Sequence, residues 1–307
     1  MSSELARIRS LIELGRHEEA AAAAAEALTT DADNAELWAA RAEALSKVEP
    51  KQALEPAQRA VAMAPDSPNV QRVLVQVNIR LDRVDEALAA IERLQTMVPH
   101  WPEPHTWRAV VLIRKIGKSK RSSPDKTLVA EARAAARRGV EAAPTWPNAH
   151  TVLGWTHLVV GEVEPARAAA ATALQLDPNW ADGHELMGDI HRQEGNVREA
   201  ADAYVRAGKA NPEHGATDRL REFQRPAAIL GGVGVFGIWL VVRALTVVGR
   251  SGVGPGVMVF LVSTAVVAVV AFYLIRRSRV QNQLSSEAQT VIDLDRKMQR
   301  PGRFRRK

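Results

Sequence analysis

The 307-residue chain contains no cysteine. This absence excludes disulfide bonds, thiolate metal sites and cysteine nucleophiles, and it is typical of a protein in a reducing compartment. Aromatic residues are also scarce, at 5% of the chain. The amino terminus, Met1 to Leu5, lacks the basic and then apolar profile of a signal peptide. We therefore expect residues 1–225 to stay in the cytosol.

The sequence also lacks the motifs of catalytic and cofactor sites. The glycines of Gly231–Gly234 are not followed by the Lys-Ser/Thr of a phosphate-binding loop, and no His-Glu-x-x-His motif for zinc occurs. Four histidines form two pairs seven residues apart: His150 with His157, and His184 with His191. We interpret them as packing residues rather than metal ligands, because the chain has no cysteine and no close triad of histidine and carboxylate residues appears. The sequence predicts a protein that is not an enzyme and needs no cofactor.

The positive charge of the chain lies at its carboxyl end. Residues 226–307 hold 12 Lys or Arg against 3 Asp or Glu, whereas residues 1–225 hold 29 against 32. A nucleic-acid-binding protein is expected to carry its basic surface on the folded domain, so this distribution argues against nucleic acid as a partner. Arg outnumbers Lys 32 to 9, which is typical of a high-GC bacterial gene.

A repeat of about 34 residues runs through the first two thirds of the chain. Its most regular feature is a proline with spacings of 34, 45, 34 and 34 residues, at Pro65, Pro99, Pro144, Pro178 and Pro212. Twelve residues before each of these prolines stands an alanine, at Ala53, Ala87, Ala132, Ala166 and Ala200. Each unit contains two helical patterns joined by a short turn, and small residues recur where the two helices must approach closely. One unit carries an 11-residue insertion.

These residues resemble the tetratricopeptide repeat. The likeness rests on Trp38, Leu153-Gly154, Met187-Gly188 and Tyr204, together with the periodic alanines and prolines. Six units are predicted, at 1–34, 35–67, 68–101, 102–146, 147–180 and 181–214. The predicted fold is therefore all-α, a right-handed α-solenoid over residues 1–225. The insertion, at about 117–127, is expected to loop out between the two helices of unit four.

The resemblance implies that the first helix of each unit lines a concave groove that binds a protein or peptide. The predicted groove residues are Arg72, Gln76, Arg80, Trp107, Arg114, Trp155, Val159, Glu185, Asp189 and Arg192. Trp107 and Trp155, flanked by Arg80 and Arg114, suggest an apolar, acidic peptide as ligand. The alternative is that these residues form ordinary solvated helix faces.

Two long apolar segments follow the repeats. Residues 227–248 contain Arg243 as their one charge, and residues 254–275 contain none. About 20 helical residues cross a hydrocarbon layer of roughly 30 Å. The sequence therefore predicts a transmembrane hairpin over 226–276, with Arg243 reaching the interface. A buried helical hairpin of a soluble domain is the alternative.

Basic residues flank this predicted hairpin on both sides. Arg225 precedes it, Arg276, Arg277 and Arg279 follow it, and Arg250 alone lies in the short turn. Because positive flanks stay on the cytoplasmic side, both termini are expected in the cytoplasm, with the Arg residues at the membrane surface. The tail, 277–307, is expected to be basic and partly helical, and to contact anionic lipid or remain solvated.

Taken together, these features predict a membrane-anchored scaffold or adaptor at the cell membrane. The alternative function is an assembly or transport subunit of a membrane complex, in which the hairpin is the working part and the repeats dock it.

Overall fold

The computed structural model describes residues 3–119, 124–211, 219–220, 284–286 and 288–291. Within these residues the chain is helical and contains no strand. The helices are α1 (Ser3–Glu13), α2 (His17–Thr30), α3 (Ala35–Val48), α4 (Leu54–Met63), α5 (Pro68–Arg80), α6 (Val84–Met97), α7 (Pro102–Lys118), α8 (Lys126–Ala142), α9 (Pro147–Leu158), α10 (Val163–Leu176), α11 (Ala181–Glu194) and α12 (Val197–Ala210).

These helices pair in sequence order, and each pair is one repeat. The first helices (α1, α3, α5, α7, α9 and α11) each pack against the second helix that follows. The pairs after the first begin at 35, 68, 102, 147 and 181, which are the predicted starts of units two to six. In α1 to α10, first helices also contact the first helix of the next repeat, as α3 does with α5 and α7 with α9. The predicted all-α helical solenoid is confirmed in the described residues.

Short-range signals in the sequence start these helices. The Asn34 side chain accepts hydrogen bonds from the backbone N–H groups of Glu36 and Leu37, at 3.1 and 3.2 Å. Ser67 accepts from the N–H of Val70 in the same way, at 3.4 Å. Such caps satisfy amide groups that have no partner inside the helix. Helices α5, α7 and α9 begin with proline, whose fixed φ suits the first helical position.

The turn inside several repeats requires a left-handed residue. Gly15, Gly161 and Gly195 have φ values of 73°, 82° and 82°. Asp82 occupies the corresponding place in the third repeat with φ of 59°. Glycine adopts this conformation without steric cost, which explains its place between the two helices.

Alanine residues lie at the contacts between the helices. The alanine twelve residues before each periodic proline is at most 1% exposed in every repeat. Ala166 and Ala200 are completely buried. A methyl side chain allows the helix axes to approach closely, and larger residues such as Ile91, Leu112 and Leu186 fill the spaces beside these contacts.

The insertion in the fourth repeat differs from its prediction. Gly117 and Lys118 belong to the end of α7, and Lys126 and Thr127 begin α8. Both helices have 17 residues, compared with 14 in α2 and α3. The extra residues therefore lengthen both helices as well as the connection. The Asp125 side chain caps α8 by accepting from the N–H of Thr127 at 3.0 Å, which sets the start of that helix.

The chain divides into two compact units, Met1–Leu176 and Asp177–Lys307. The first contains α1 to α10. The second contains α11 and α12, together with short segments near residues 220 and 284–291.

In the second unit, residues far apart in sequence pack on one helix. Leu220, Leu284 and Ala288 are buried in a cluster with Ala201 and Tyr204 of α12. The hydroxyl of Ser285 donates to the carboxylate of Asp202. A part of the predicted basic tail therefore packs on α12, which the sequence pattern did not indicate.

Candidate functional site

A groove lies across the first helices of the first three repeats. We call it the N-terminal groove; its volume is about 520 Å³. It is lined by Leu5, Arg9, Ile12 and Glu13 of α1, Glu36 and Glu43 of α3, and Asn69 and Arg72 of α5. The resemblance to the tetratricopeptide repeat implied that first helices line the binding face, and the lining of this groove agrees with that expectation.

Ion pairs between successive repeats hold the charges of the N-terminal groove in place. Arg9 Nη2 lies 2.7 Å from Glu36 Oε2, and Asn69 Nδ2 donates to the same oxygen at 2.6 Å. Arg72 contacts both oxygens of Glu43, at 3.2 and 3.3 Å. Such a two-point contact fixes both side chains, because the guanidinium and the carboxylate are planar and match each other. The predicted groove residue Arg72 is thus at the site, but already has a carboxylate partner.

Glu36, Glu43 and Asn69 are site residues that were not predicted from the sequence. Repeat positions describe single repeats, whereas this groove depends on which side chains of neighbouring repeats meet. Arg9 and Glu36 are 27 residues apart, and Arg72 and Glu43 are 29 apart. A search for opposite charges at nearly one repeat length would have found both pairs.

The two predicted groove tryptophans are half-buried and belong to different clusters. Trp107 packs against the cluster of Val75, Ile91 and Val111. Trp155 packs against the cluster of Ala109 and Val152. Each indole ring therefore contributes to the core of its own repeat junction, and the structure does not bring the two rings into one cluster. Val159 packs against Leu112, Ile116 and Ala132 rather than lying on an open surface.

Arg80 and Arg114, which we call the arginine pair, lie on neighbouring first helices. Both residues are exposed. Arg114 Nη1 donates to the backbone carbonyl of Ile79 at 2.7 Å. Burial of part of its side chain, and then the charge of Arg114, lower the pKa of Arg80. Gln76, one turn before Arg80 on α5, is half-buried.

The predicted acidic end of the groove lies in the second compact unit and forms an internal network. Asp189 is 8% exposed and accepts hydrogen bonds from Tyr204 Oη at 2.8 Å and from Arg192 Nη2 at 3.1 Å. Burial, and then the charge of Asp189, raise the pKa of Tyr204, so the phenol keeps the proton that it donates. Glu185 accepts from Arg219 Nε at 2.9 Å. Asp189 is therefore committed to internal bonding, and the expectation that it lies on an open groove face is corrected.

The histidines at the start of the first helices bond to the backbone. His150 Nε2 lies 2.7 Å from the carbonyl oxygen of Pro144, and His184 Nε2 lies 2.9 Å from that of Pro178. Since a carbonyl only accepts, each Nε2 carries the proton. His157 Nδ1 is 2.6 Å from Glu162, which Arg133 also contacts. The hydrogen bond from His157, and then that from Arg133, lower the pKa of Glu162.

Neither a metal-binding cluster nor a membrane-spanning helix occurs among the described residues. The part of the chain described by the structure contains no group of three His, Asp or Glu side chains arranged as metal ligands. None of its helices combines the length and apolar character that a membrane crossing needs. The predicted spans, 227–248 and 254–275, and the predicted surface contacts Arg225, Arg276, Arg277 and Arg279 lie outside the described residues.

Comparisons with known proteins agree with this repeat architecture. The family model of the tetratricopeptide repeat matches residues 5–68 and 49–102, about a third of the chain. The comparison with curated proteins finds no match.

Solved structures with a similar fold include three named proteins. The crystal structure of PilW, a widely conserved type IV pilus biogenesis factor, has 19% identity and a TM-score of 0.54, covering 69% of this chain and 93% of PilW. TTC0263, a thermophilic TPR protein of Thermus thermophilus, has 19% identity and a TM-score of 0.49, covering 57% and 85%. YrrB, a TPR protein with an unusual peptide-binding site, has 18% identity and a TM-score of 0.41, covering 66% and 99%.

At these identities the likeness to PilW shows the fold alone. It agrees with the helix pairs, the buried alanines and the family match to the first repeats. The family model therefore matches the first three repeats, and the described residues have an all-α helical solenoid fold like that of the tetratricopeptide repeat.

Proposed function

We propose that this protein is a membrane-anchored scaffold that binds a segment of a partner protein on its first helices. The observation that carries the proposal is the N-terminal groove, which three successive first helices line. Its charged side chains are held by ion pairs between repeats, so little conformational entropy is lost when a ligand meets them. A non-enzymatic role is part of the proposal, because the groove offers paired charges rather than a nucleophile beside a base.

An extended peptide suits this groove better than a small molecule. The lining alternates the apolar side chains of Leu5 and Ile12 with the charged side chains of Arg9, Glu36 and Glu43. A peptide can place apolar and polar side chains against such a surface in turn, while its backbone bonds to groups such as Asn69. The groove also extends across repeats, as an elongated ligand requires.

The proposed anchor is the hairpin of residues 226–276, with both termini in the cytoplasm at the cell membrane. Its support is the sequence: two apolar segments of spanning length, with basic flanks on one side. The packing of Leu220 and Leu284 on α12 supports an even number of crossings between them, because both ends of that segment meet one helix. The basic end of the chain, Arg300–Lys307, would add contacts with anionic lipid.

Site-specific photo-crosslinking tests whether the first helices form the binding face. A photoreactive residue replaces Gln76, on the first helix α5, in the full-length protein in its native membrane. The matched control carries it at Arg137, which is exposed on the second helix α8. We expect discrete protein adducts from position 76 and none of the same size from position 137. Identical adducts at both positions, or none from position 76, would contradict a binding face on the first helices.

A further inference from the structure

The arginine pair lies at the junction of the third and fourth repeats, where Arg114 is bonded to the backbone beside Arg80. Arg80 lies in the last turn of α5, and Arg114 lies near the end of α7. The 2.7 Å hydrogen bond from Arg114 to the carbonyl of Ile79 ties its guanidinium to the backbone beside Arg80. The charge of Arg114 acts on Arg80, whose pKa it lowers together with burial. Two positive charges are thus kept close together by the fold.

The neighbouring carboxylates are already occupied by other cations. Asp82 forms an ion pair with Lys118, and Asp85 lies 3.0 Å from Lys115 Nζ. Over the described ranges of the chain, neither Arg80 nor Arg114 has a carboxylate at ion-pair distance. Arg72, Arg108 and Arg133 differ, since each contacts a glutamate of a neighbouring helix or turn. The arginine pair therefore has no internal counter-ion there.

An apolar surface adjoins the arginine pair. Ile79, which precedes Arg80, and Trp107, two helical turns before Arg114, are both half-buried against the same cluster of Val75, Ile91 and Val111. Trp107 remains partly exposed, on the same side of α7 as Arg114. Trp and Arg are enriched among the residues that dominate protein interfaces.

We propose that the arginine pair binds the carboxylate of an acidic side chain, in a partner segment whose neighbouring residue is apolar and contacts Trp107. A guanidinium matches a carboxylate in shape, and the ligand supplies the counter-ion that the fold lacks. The pair lies at the carboxyl end of α5, where the negative end of the helix dipole stabilises the arginine cations and disfavours a phosphate more than a singly charged carboxylate. This inference rests on the proposed function, since it names the partner class for the same face of the repeats.

Fluorescence polarisation with defined probes tests the inference in the full-length protein in detergent. The probes are a labelled hexapeptide of alternating Glu and Leu and a matched hexapeptide of Gln and Leu, with inorganic phosphate as competitor. We expect the Glu peptide to bind and the Gln peptide to bind at least about tenfold more weakly. Arg80→Gln combined with Arg114→Gln should weaken binding of the Glu peptide by about tenfold or more. Arg137→Gln combined with Arg138→Gln, the same change of charge on the exposed side of α8, should leave it unchanged.

Arg80→Gln alone guards against a folding defect, because the hydrogen bond of Arg114 to Ile79 remains; this variant should also weaken binding. Equal losses of affinity for the Glu peptide in the two double variants would mean that only net charge matters, which would overturn the proposal. Absence of binding by the unchanged protein, or displacement of the Glu peptide by phosphate at equal concentration, would overturn it as well. Adducts at position 76 that persist in Arg80→Gln/Arg114→Gln, when the peptide does not bind, would leave the scaffold function standing without this carboxylate site.

Discussion

The fourth residue of the first helix has the same task in five repeats, although its identity changes. Trp38, Gln71, His105, His150 and His184 each direct a side-chain nitrogen at the backbone carbonyl six residues earlier, at 2.7 to 3.2 Å. In four repeats that carbonyl belongs to the periodic proline. The bond fastens the loop between repeats to the helix that follows. It also gives His150 and His184, two of the four paired histidines, a structural role through backbone bonding.

His184 should make the stability of the protein depend on pH. Burial is the main cause that lowers its pKa, so the folded protein prefers the neutral ring. In the unfolded chain the ring takes up a proton as the pH falls through about 6.5, which favours unfolding. Stability from this residue is therefore present above that pH and is lost below it. His184→Gln should lose less stability than the unchanged protein between about pH 7.5 and about pH 5.5, as measured by thermal unfolding.

The choice of glutamine follows from Gln71, which makes the same bond at 2.9 Å in the third repeat. His184→Leu serves as the control, because it removes the proton-binding group and the hydrogen-bond donor together. Relative to His184→Gln it should lower stability by about 1 kcal/mol at both pH values, because neither variant carries the titrating ring. If His184→Gln follows the same pH dependence as the unchanged protein, the assigned role of His184 is incorrect.

At the scale of helices, the packing depends on positions where a side chain is missing. A Cβ atom at Gly188 of α11 would lie 2.5 Å from the ring of Tyr204 on α12. At Gly139 of α8 it would lie 2.7 Å from Thr106 Cγ2 on α7. The two helices of these repeats touch through the glycine backbone itself. The missing side chain of each glycine therefore makes room for the residue that faces it, Tyr204 or Thr106.

Gly188→Ala should separate α11 from α12. The added methyl group meets the Tyr204 ring, which is 1% exposed and tied to Asp189, so it has little room to move. Overpacking of this kind costs about 1–3 kcal/mol. Gly208→Ala, on α12 itself, is the matched control because nothing lies within 4 Å of its added Cβ. It should stabilise the helix by about 0.5–1 kcal/mol. Thermal unfolding of both variants measures this difference. Equal melting temperatures would refute the close contact of Gly188 with Tyr204.

At the scale of the whole molecule, the chain returns to the helix from which it departs. Leu220 comes shortly after α12 and Leu284 lies 64 residues later, yet both are buried against that helix. The proposed hairpin agrees with this contact, because an even number of crossings would bring both ends of the intervening segment to one side of a membrane. The return also covers apolar surface of α12 that a terminal repeat would otherwise leave exposed.

A cysteine pair tests this return, and the absence of native cysteine makes the measurement clean. Asp202→Cys combined with Ser285→Cys replaces two residues in hydrogen-bond contact, so the pair should form a disulfide under mild oxidation. Maleimide mass tagging measures the loss of free thiol and therefore detects the disulfide. Lys209→Cys with Ser285→Cys places the first cysteine about 10 Å further along α12 and should not oxidise. Equal oxidation of both pairs, or of neither, would contradict the contact.

The same single-cysteine variants report on sidedness. Asp202→Cys and Ser285→Cys should react with a membrane-impermeant maleimide only after cells are opened. Ser251→Cys, in the predicted turn of the hairpin, should react in intact cells. Labelling of Asp202→Cys from outside would overturn the proposed cytoplasmic placement of the repeats.

The sequence alone was sufficient for the repeat architecture. The spacing of alanine and proline, the position of Gly188 sixteen residues before Tyr204, and the apolar residues between them placed every helix pair from the second to the sixth at its observed start. These features are local or nearly local: helix caps, turns and the close approach of adjacent helices act within one period of the repeat. The same period also allowed the first helices to be named as the candidate binding face.

Only the tertiary structure decided which charged and aromatic side chains of the predicted groove remain available to a ligand. The repeat position of Asp189 predicted an acidic residue of the groove, but its carboxylate accepts hydrogen bonds from Tyr204 and Arg192 inside its repeat. Trp107 and Trp155 belong to separate clusters, and Arg72 is neutralised by Glu43 of the preceding repeat. Helical periodicity gives the face on which a residue lies but not the neighbour that meets it, because small rotations between repeats determine those contacts. For the same reason, only the packing of Leu284 on α12 revealed where a distant part of the chain returns.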